Sequence, residues 1–350
     1  MINLDDINAI KKLDKSNMLS SIMAIPDQCQ QAWKETKVLD FPADYSQVKN
    51  IVVSGMGGSA LGAQIIKSLF SREMLIPLEI VNDYHLPVYV DENTLVILSS
   101  YSGSTEETLA TAYEALEKKA KITGITTGGK LGEFLKQHDL PRYIFDPKFN
   151  PCGQPRMGLG YSIIGQIGLL ARLGILKIEE NEFFQCLEFL KVNKSKLERE
   201  TKETVKKCLN KEILVVGAEH LSGNTHILAN QINENSKTIS FYFLLPELNH
   251  YLMEGLKNPS LKNLIFLFLV SNLYNGKIKI RLSLTEEVIS KNNISFLEFK
   301  PKGETRLIQV LETLLFGSYF SFYLSIAHSQ DPTPIPWVDY FKEKLAAHER

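Results

Sequence analysis

Residues 94–109, TLVILSSYSGSTEETL, set an apolar run directly before a cluster of hydroxyls: six of the nine residues 100–108 carry one, counting Tyr101. Ser100, Ser102, Ser104 and Thr105 can each donate a hydrogen bond to an anionic oxygen. Gly103 allows the backbone to approach a ligand. The helix expected from Glu106 onward would aim its first N–H groups at the same place, where the helix dipole favours negative charge. A phosphate would be satisfied there without any lysine. The competing explanation is a capping box, with Ser104 or Thr105 capping the helix and Glu107 or Thr108 nearby. That accounts for neither Ser100 nor Ser102.

A second loop, SGMGGSALGA (54–63), also follows an apolar run. Its glycines Gly55, Gly57, Gly58 and Gly62 do not form G-x-G-x-x-G, and no Gly-Lys-Ser/Thr follows them. The acidic residue of a dinucleotide fingerprint is matched only by Asp83. A nicotinamide dehydrogenase is therefore the weaker reading.

These loops need elements to hold them. Ile7, Ile10 and Leu13, then Leu19, Ile22 and Met23, recur at helical spacing, so residues 1–50 read as a helical segment broken at Pro26 and Pro42. A short strand, a glycine-rich turn and an amphipathic helix are expected across 50–70, further strands in 78–83, 94–100, 122–127 and 142–147, and helices over 106–120 and 161–176. Alternating strands and helices predict a parallel, doubly wound α/β sheet with helices on both faces. The lysine-rich stretch 179–210, with Phe183, Phe184, Leu187 and Leu190 at helical spacing, reads as a helical connector. Residues 211–232 then repeat the theme of strand, glycine, polar turn and helix, followed by strands at 240–245, 264–270 and 294–299. The chain thus divides into 1–50, a first α/β domain 51–178, the connector 179–210, a second α/β domain of similar plan 211–330, and a C-terminal segment 331–350.

Thirty-nine basic residues against 40 acidic ones give a net charge of −1, which offers no reason to expect nucleic acid or an anionic membrane as partner. The start MINLDDINAIKKLDK lacks a basic region followed by an apolar one, so no secretory leader is expected. TLLFGSYFSFYLSIA (313–327) is shorter than a membrane span and reads as a buried helix. Cys29, Cys152, Cys186 and Cys208 are scattered without C-x-x-C, which fits a reducing cytoplasm. The histidines form no H-E-x-x-H, so neither a metal nor another cofactor is expected.

GMGGSALGA followed by SYSGSTEETL is similar to the sugar isomerase (SIS) domain. With NPCGQPRMGLGYS (150–162), NQINENSKT (230–238), LPELNHYLMEGLKNP (245–259) and DPTPIPWVDYFKEKL (331–345) in that order, the chain resembles the bifunctional phosphoglucose/phosphomannose isomerases of bacteria and archaea. The resemblance implies tandem SIS domains and an aldose–ketose isomerisation of a hexose 6-phosphate through a cis-enediol. By it, Glu234 matches the base that moves a proton between C1 and C2. His250 matches the ring-opening histidine, Lys342 a lysine near the ring oxygen, and Arg156 the cation beside the enediolate. Lys344 stands two residues from Lys342 and competes for its role. Ser59, Ser100, Ser102 and Thr105 would hold the phosphate, with Gly57, Gly58 and Gly103 as the loop backbone near substrate. The resemblance also implies a homodimer with active sites at the subunit interface. Tyr251 stands where relatives carry Asn, and a phenol beside His250 is expected to bear on substrate preference. Other SIS isomerases and non-catalytic sugar-phosphate sensors share the cradle. Only an isomerase needs Glu234, His250, Arg156 and Lys342 together.

Overall fold

A computed structural model describes residues 3–257 and 263–348. Three helices come first, α1 (Ile7–Leu13), α2 (Met18–Met23) and α3 (Ile25–Thr36). Pro26 marks the break between α2 and α3 by occupying the first turn of α3, where its missing N–H costs no intrahelical bond.

The first sheet follows. Its strands are β1 (Asn50–Gly55), β2 (Leu78–Val81), β3 (Thr94–Ser99), β4 (Lys121–Thr126) and β5 (Arg142–Ile144). The helices α4 (Leu61–Leu69), α5 (Glu106–Glu117) and α6 (Gly129–Gln137) follow β1, β3 and β4. All pairings are parallel, in the order β2-β1-β3-β4-β5. Adjacent residues on one strand serve opposite layers. Ile51, Val53, Leu95 and Ile97 face a large core that includes residues of α3 and α4. Val52, Val96 and Leu98 face a smaller one with Ala112 of α5 and Leu131 and Phe134 of α6. Burial on both sides explains why these strands are apolar throughout.

After α7 (Leu159–Arg172), the segment expected as a connector is a single helix of 29 residues, α8 (Glu180–Cys208). The second sheet comprises β6 (Glu212–Ala218), β7 (Ser240–Leu245), β8 (Leu264–Leu269) and β9 (Ser295–Phe299). Between these strands lie α9 (Ser222–Ser236), α10 (Leu252–Gly255) and α11 (Gly276–Lys291). Again all pairings are parallel, in the order β7-β6-β8-β9. The chain ends in α12 (Arg306–Ala327) and α13 (Pro336–His348).

Every residue of α12 from 307 to 327 is buried. By length and composition α12 could cross a membrane, yet its apolar window lies wholly inside the protein. It packs against α8 and α9 and belongs to the large core that joins the two halves. Its buried hydroxyls find partners: Thr313 donates to Gln309 O at 2.6 Å and Ser318 to Leu314 O at 2.9 Å.

In each sheet the chain adds its second strand on one side of the first and its third strand on the other. Ligands of open parallel sheets bind at such reversals, beyond the carboxyl ends of the strands. The first sheet has its reversal between β1 and β3, which brings the glycine loop and the hydroxyl loop side by side. The second has its reversal between β6 and β8. There the carboxylate of Glu219, itself at φ +45°, accepts from the backbone N of Asn275 at 3.3 Å and from its side-chain amide. Arg72 pairs with the same carboxylate at 3.3 Å.

Candidate active site

The loops after β1 and β3 are laced together by their own hydroxyls. Ser59 Oγ accepts from the backbone N of Tyr101 at 2.9 Å, and Ser59 O accepts from Ser99 Oγ at 2.8 Å. Ser100 Oγ shares a hydrogen bond with Thr105 Oγ1 at 2.8 Å and accepts from Gly103 N at 3.1 Å. Ser102 Oγ accepts from Ser104 N at 3.3 Å. Thr105 occupies the N-cap position of α5, yet its side chain makes no cap hydrogen bond. The capping box considered from the sequence is therefore not formed. The first turn of α5 opens onto the loop without a side-chain cap.

Two of the expected contacts are also tied into the loop. Ser100 is fully buried and Ser59 nearly so, and the Ser100 hydroxyl is bonded within the loop. Gly103 is buried too, at φ +68°, and a Cβ there would meet Gly128 O at 1.8 Å. Its freedom packs the hydroxyl loop against the β4–α6 turn. Ser102 is exposed and Thr105 partly so. Gly57, at φ +49°, has open space around its missing side chain.

Gly58 joins the cradle to a second group of residues. A Cβ on it would come within 3.1 Å of Arg156 N, so the glycine lets the 3-10 turn Pro155–Met157 lie against the β1 loop. Arg156 is buried, with its side chain 3% exposed. Its Nε donates to Asn235 Oδ1 at 2.7 Å and its Nη1 to Gln154 Oε1 at 2.8 Å. Its Nη2 donates to Thr333 O at 2.7 Å and Pro332 O at 3.2 Å. Nη1 also stands 3.5 Å from Glu234 Oε2. Burial pulls the guanidinium pKa down from its ordinary value, and the Glu234 carboxylate opposes that. An arginine remains charged regardless.

Glu234 lies in the last turn of α9, not in a polar loop. The surrounding NQINENS owes its polarity to α12. Gln231 and Asn235, one turn apart, donate to Ser318 Oγ at 3.0 Å and Ser321 Oγ at 2.9 Å. These two bonds fix the rotation of α9 and turn Glu234 toward Arg156. Burial raises the Glu234 pKa above the ordinary carboxylate value, while Arg156, Lys342 and Lys237 pull the other way. Lys342 is on α13 and exposed, close enough for its charge to act on Glu234. Lys344 instead lies over the Tyr340 ring, 5.6 Å from its centroid.

His250 is not part of this group. It is exposed, in the short turn Glu247–His250 after β7. Glu234 ends the helix that leads into β7, whereas His250 follows the strand's far end. Six residues of β7 at ~3.3 Å each put ~20 Å between the two edges of the sheet. Tyr251 beside it is exposed and rests against Phe243, with ring centroids 6.3 Å apart.

Sequence reasoning overlooks Lys237, Asn235 and Gln154. Asn235 and Lys237 stand in plain view within NQINENSKT. The available signal is a polar pair one turn apart on a helix that also carries Ile227, Leu228 and Ile232 into the core. Among the described residues no three His, Cys, Asp or Glu side chains group as metal ligands would.

An open helix terminus beside a glycine loop at a sheet reversal, backed by a buried arginine paired with a half-buried glutamate, is the arrangement of an α/β protein suited to a small anionic molecule. Residues 44–134 match the family model for the SIS domain, and residues 197–345 match that for the bacterial phospho-glucose isomerase C-terminal SIS domain. The chain is thus a tandem SIS-domain protein. It belongs to the bifunctional phosphoglucose/phosphomannose isomerase family. A member from Caldicellulosiruptor bescii is 33% identical over 345 residues, covering 94% of this chain and 99% of the relative. Another from Aquifex aeolicus is 30% identical over 311 residues, covering 88% and 94%. The fold is shared with a hypothetical protein from Thermus thermophilus, with a TM-score of 0.68 at 16% identity over 97% of this chain and 94% of the other.

Proposed function

We propose that this protein is an aldose–ketose isomerase that interconverts glucose 6-phosphate and mannose 6-phosphate with fructose 6-phosphate through a cis-enediol. The observation that carries the reading is Glu234: a carboxylate held against a buried arginine, with a pKa raised by burial. A base that must be ionised near neutrality and still accept a carbon-bound proton is best served by a raised pKa. In this reading Glu234 moves the proton between C2 and C1. Arg156 has four hydrogen bonds to protein acceptors, so its charge steadies the enediolate from a fixed position. The phosphate rests on Ser59, Ser102, Thr105 and the first-turn amides of α5, with Ser100 keeping the loop in shape. Lys342 lies near the ring oxygen.

Ring opening by His250 then requires a second copy of the chain, because the two ends of β7 separate it from Glu234 of its own. A homodimer with composite sites follows. Support for it comes from the exposed Phe241, Tyr242 and Tyr251 on the β7 side and Trp337 and Phe341 on α13. A cytoplasmic setting is supported by four free, buried cysteines.

The test is a coupled assay of glucose 6-phosphate and mannose 6-phosphate, separately, with EDTA present. Fructose 6-phosphate formed from both is the expected result. Turnover of neither, with sugar-phosphate binding intact, would overturn the reading in favour of a sensor.

A further inference from the structure

Lys237 follows α9 with a left-handed backbone, φ +52°, and although the residue is exposed, its ammonium is drawn in beside Arg156 by backbone carbonyls. Nζ donates to Asn235 O at 2.9 Å, Asp331 O at 3.0 Å and Pro332 O at 3.0 Å. Arg156 Nη2 takes Pro332 O and Thr333 O. Two cations of like charge therefore converge on three successive carbonyls, and Pro332 O accepts from both. The Asp331 carboxylate makes its own hydrogen bond within the loop, Oδ1 accepting from Thr333 N at 2.9 Å, and acts on Lys237 through its charge. Placing two cations together is unfavourable, and the group they share, Pro332 O, is a backbone carbonyl. That backbone is the connection between α12, buried throughout, and α13, which leaves Trp337, Val338, Tyr340 and Phe341 exposed.

We propose that Lys237 is a positioning residue: with Arg156 it clips residues 331–333 to the body of the protein and so sets where α13 carries Lys342 with respect to Glu234. The assignment rests on the isomerase reading of Glu234 and Lys342. An ammonium has three hydrogens for three carbonyls, whereas the neutral amine has two. Burial, then Arg156, lower the Lys237 pKa to about 8, against the pull of Asp331 and Glu234. These are the charged groups that act on it. As pH rises through that value the clip loses a donor and its charge.

The experiment compares wild type with Lys237→Met, Lys237→Arg, Lys342→Ala and the double variant Lys237→Met/Lys342→Ala. Backbone amide exchange across α13 should quicken in Lys237→Met by on the order of 10-fold. The kcat for fructose 6-phosphate should fall by roughly 10- to 100-fold with KM altered less than about 3-fold, because a reacting group is misplaced while the phosphate stays held. The double variant should be no slower than Lys342→Ala, since a helix without its lysine has nothing left to place. Unchanged exchange in α13 would overturn the clip, as would effects of the two substitutions that simply multiply. Lys237→Arg gives a second readout that keeps the charge. The alkaline decline of kcat near pH 8 should move to higher pH, and a decline that stays put would overturn the assignment. Wild-type protein that isomerises neither hexose phosphate would instead sink the isomerase reading, and exchange in α13 would still decide the clip.

Discussion

Glu234 and Arg156 stand 3.5 Å apart, and Arg156 is also hydrogen-bonded to the frame around it. Glu234→Gln keeps the shape and removes the base. The expected outcome is sugar-phosphate binding within a few-fold of wild type and a kcat lowered by at least about 100-fold, in the range of a general-base contribution. A near-normal kcat would remove Glu234 from the chemistry. The pH dependence follows from the direction of its shift. The base works ionised, so activity declines as pH falls through its pKa. Because burial raises that pKa, the decline begins at higher pH than for an exposed glutamate. Lys342 lowers the pKa of Glu234, so Lys342→Ala should displace the acid limb of kcat/KM upward. An acid limb that moves downward would contradict the charge arrangement around Glu234.

At the scale of elements, the hydroxyl loop and α5 form one unit. Removing both accessible hydroxyls with Ser102→Ala/Thr105→Ala should weaken binding by about 0.5–1.5 kcal/mol for each neutral hydrogen bond lost, and more where the phosphate charge assists. KM should rise and kcat should hold. An unchanged KM would locate the phosphate elsewhere. The central strands β1, β3, β6 and β8 are legible in the sequence because burial on two faces leaves a continuous apolar run with little else to resemble. Helix α12 is legible for the same reason. Helix α11 is not: KIKIRLSL alternates apolar and polar residues as a half-exposed strand does, while its buried Ile278, Leu282, Thr285 and Ile289 keep helical spacing. Helix α6 is hidden by the glycine pair Gly128 and Gly129 through which the chain enters it. At the site, residues matching a family motif can be named, but the bonds by which Ser100 and the packing by which Gly103 hold the loop together are not visible in the letters. Hydroxyls that hold a loop and hydroxyls that hold a phosphate have the same letters. Lys237 escapes notice because a lysine just past a helix is most often solvated. Nothing in the local sequence announces the carbonyls of Asp331 and Pro332, far along the chain, that accept from it.

The whole molecule places His250 and Glu234 at opposite edges of one sheet, and this makes a prediction about assembly. Glu234→Gln chains and His250→Ala chains are each expected to be inactive alone. In a mixed dimer one site collects both defects and the other collects none. Random mixing should therefore restore roughly one quarter of wild-type activity, as two-fold pairing requires. Failure to recover any activity from refolded mixtures would mean that each chain keeps its own histidine. The second sheet bears on a different count. Two halves of similar plan would ordinarily offer two anion crevices, but in the second half the reversal between β6 and β8 already receives the carboxylate of Glu219, bonded to Asn275 and paired with Arg72. The chain carries its own tethered competitor at that position, present at an effective concentration that a dissolved metabolite does not match. Calorimetric titration with fructose 6-phosphate should accordingly saturate at one equivalent per chain rather than two, and the duplicated architecture behaves as a single receptor with an internal ligand in its other half.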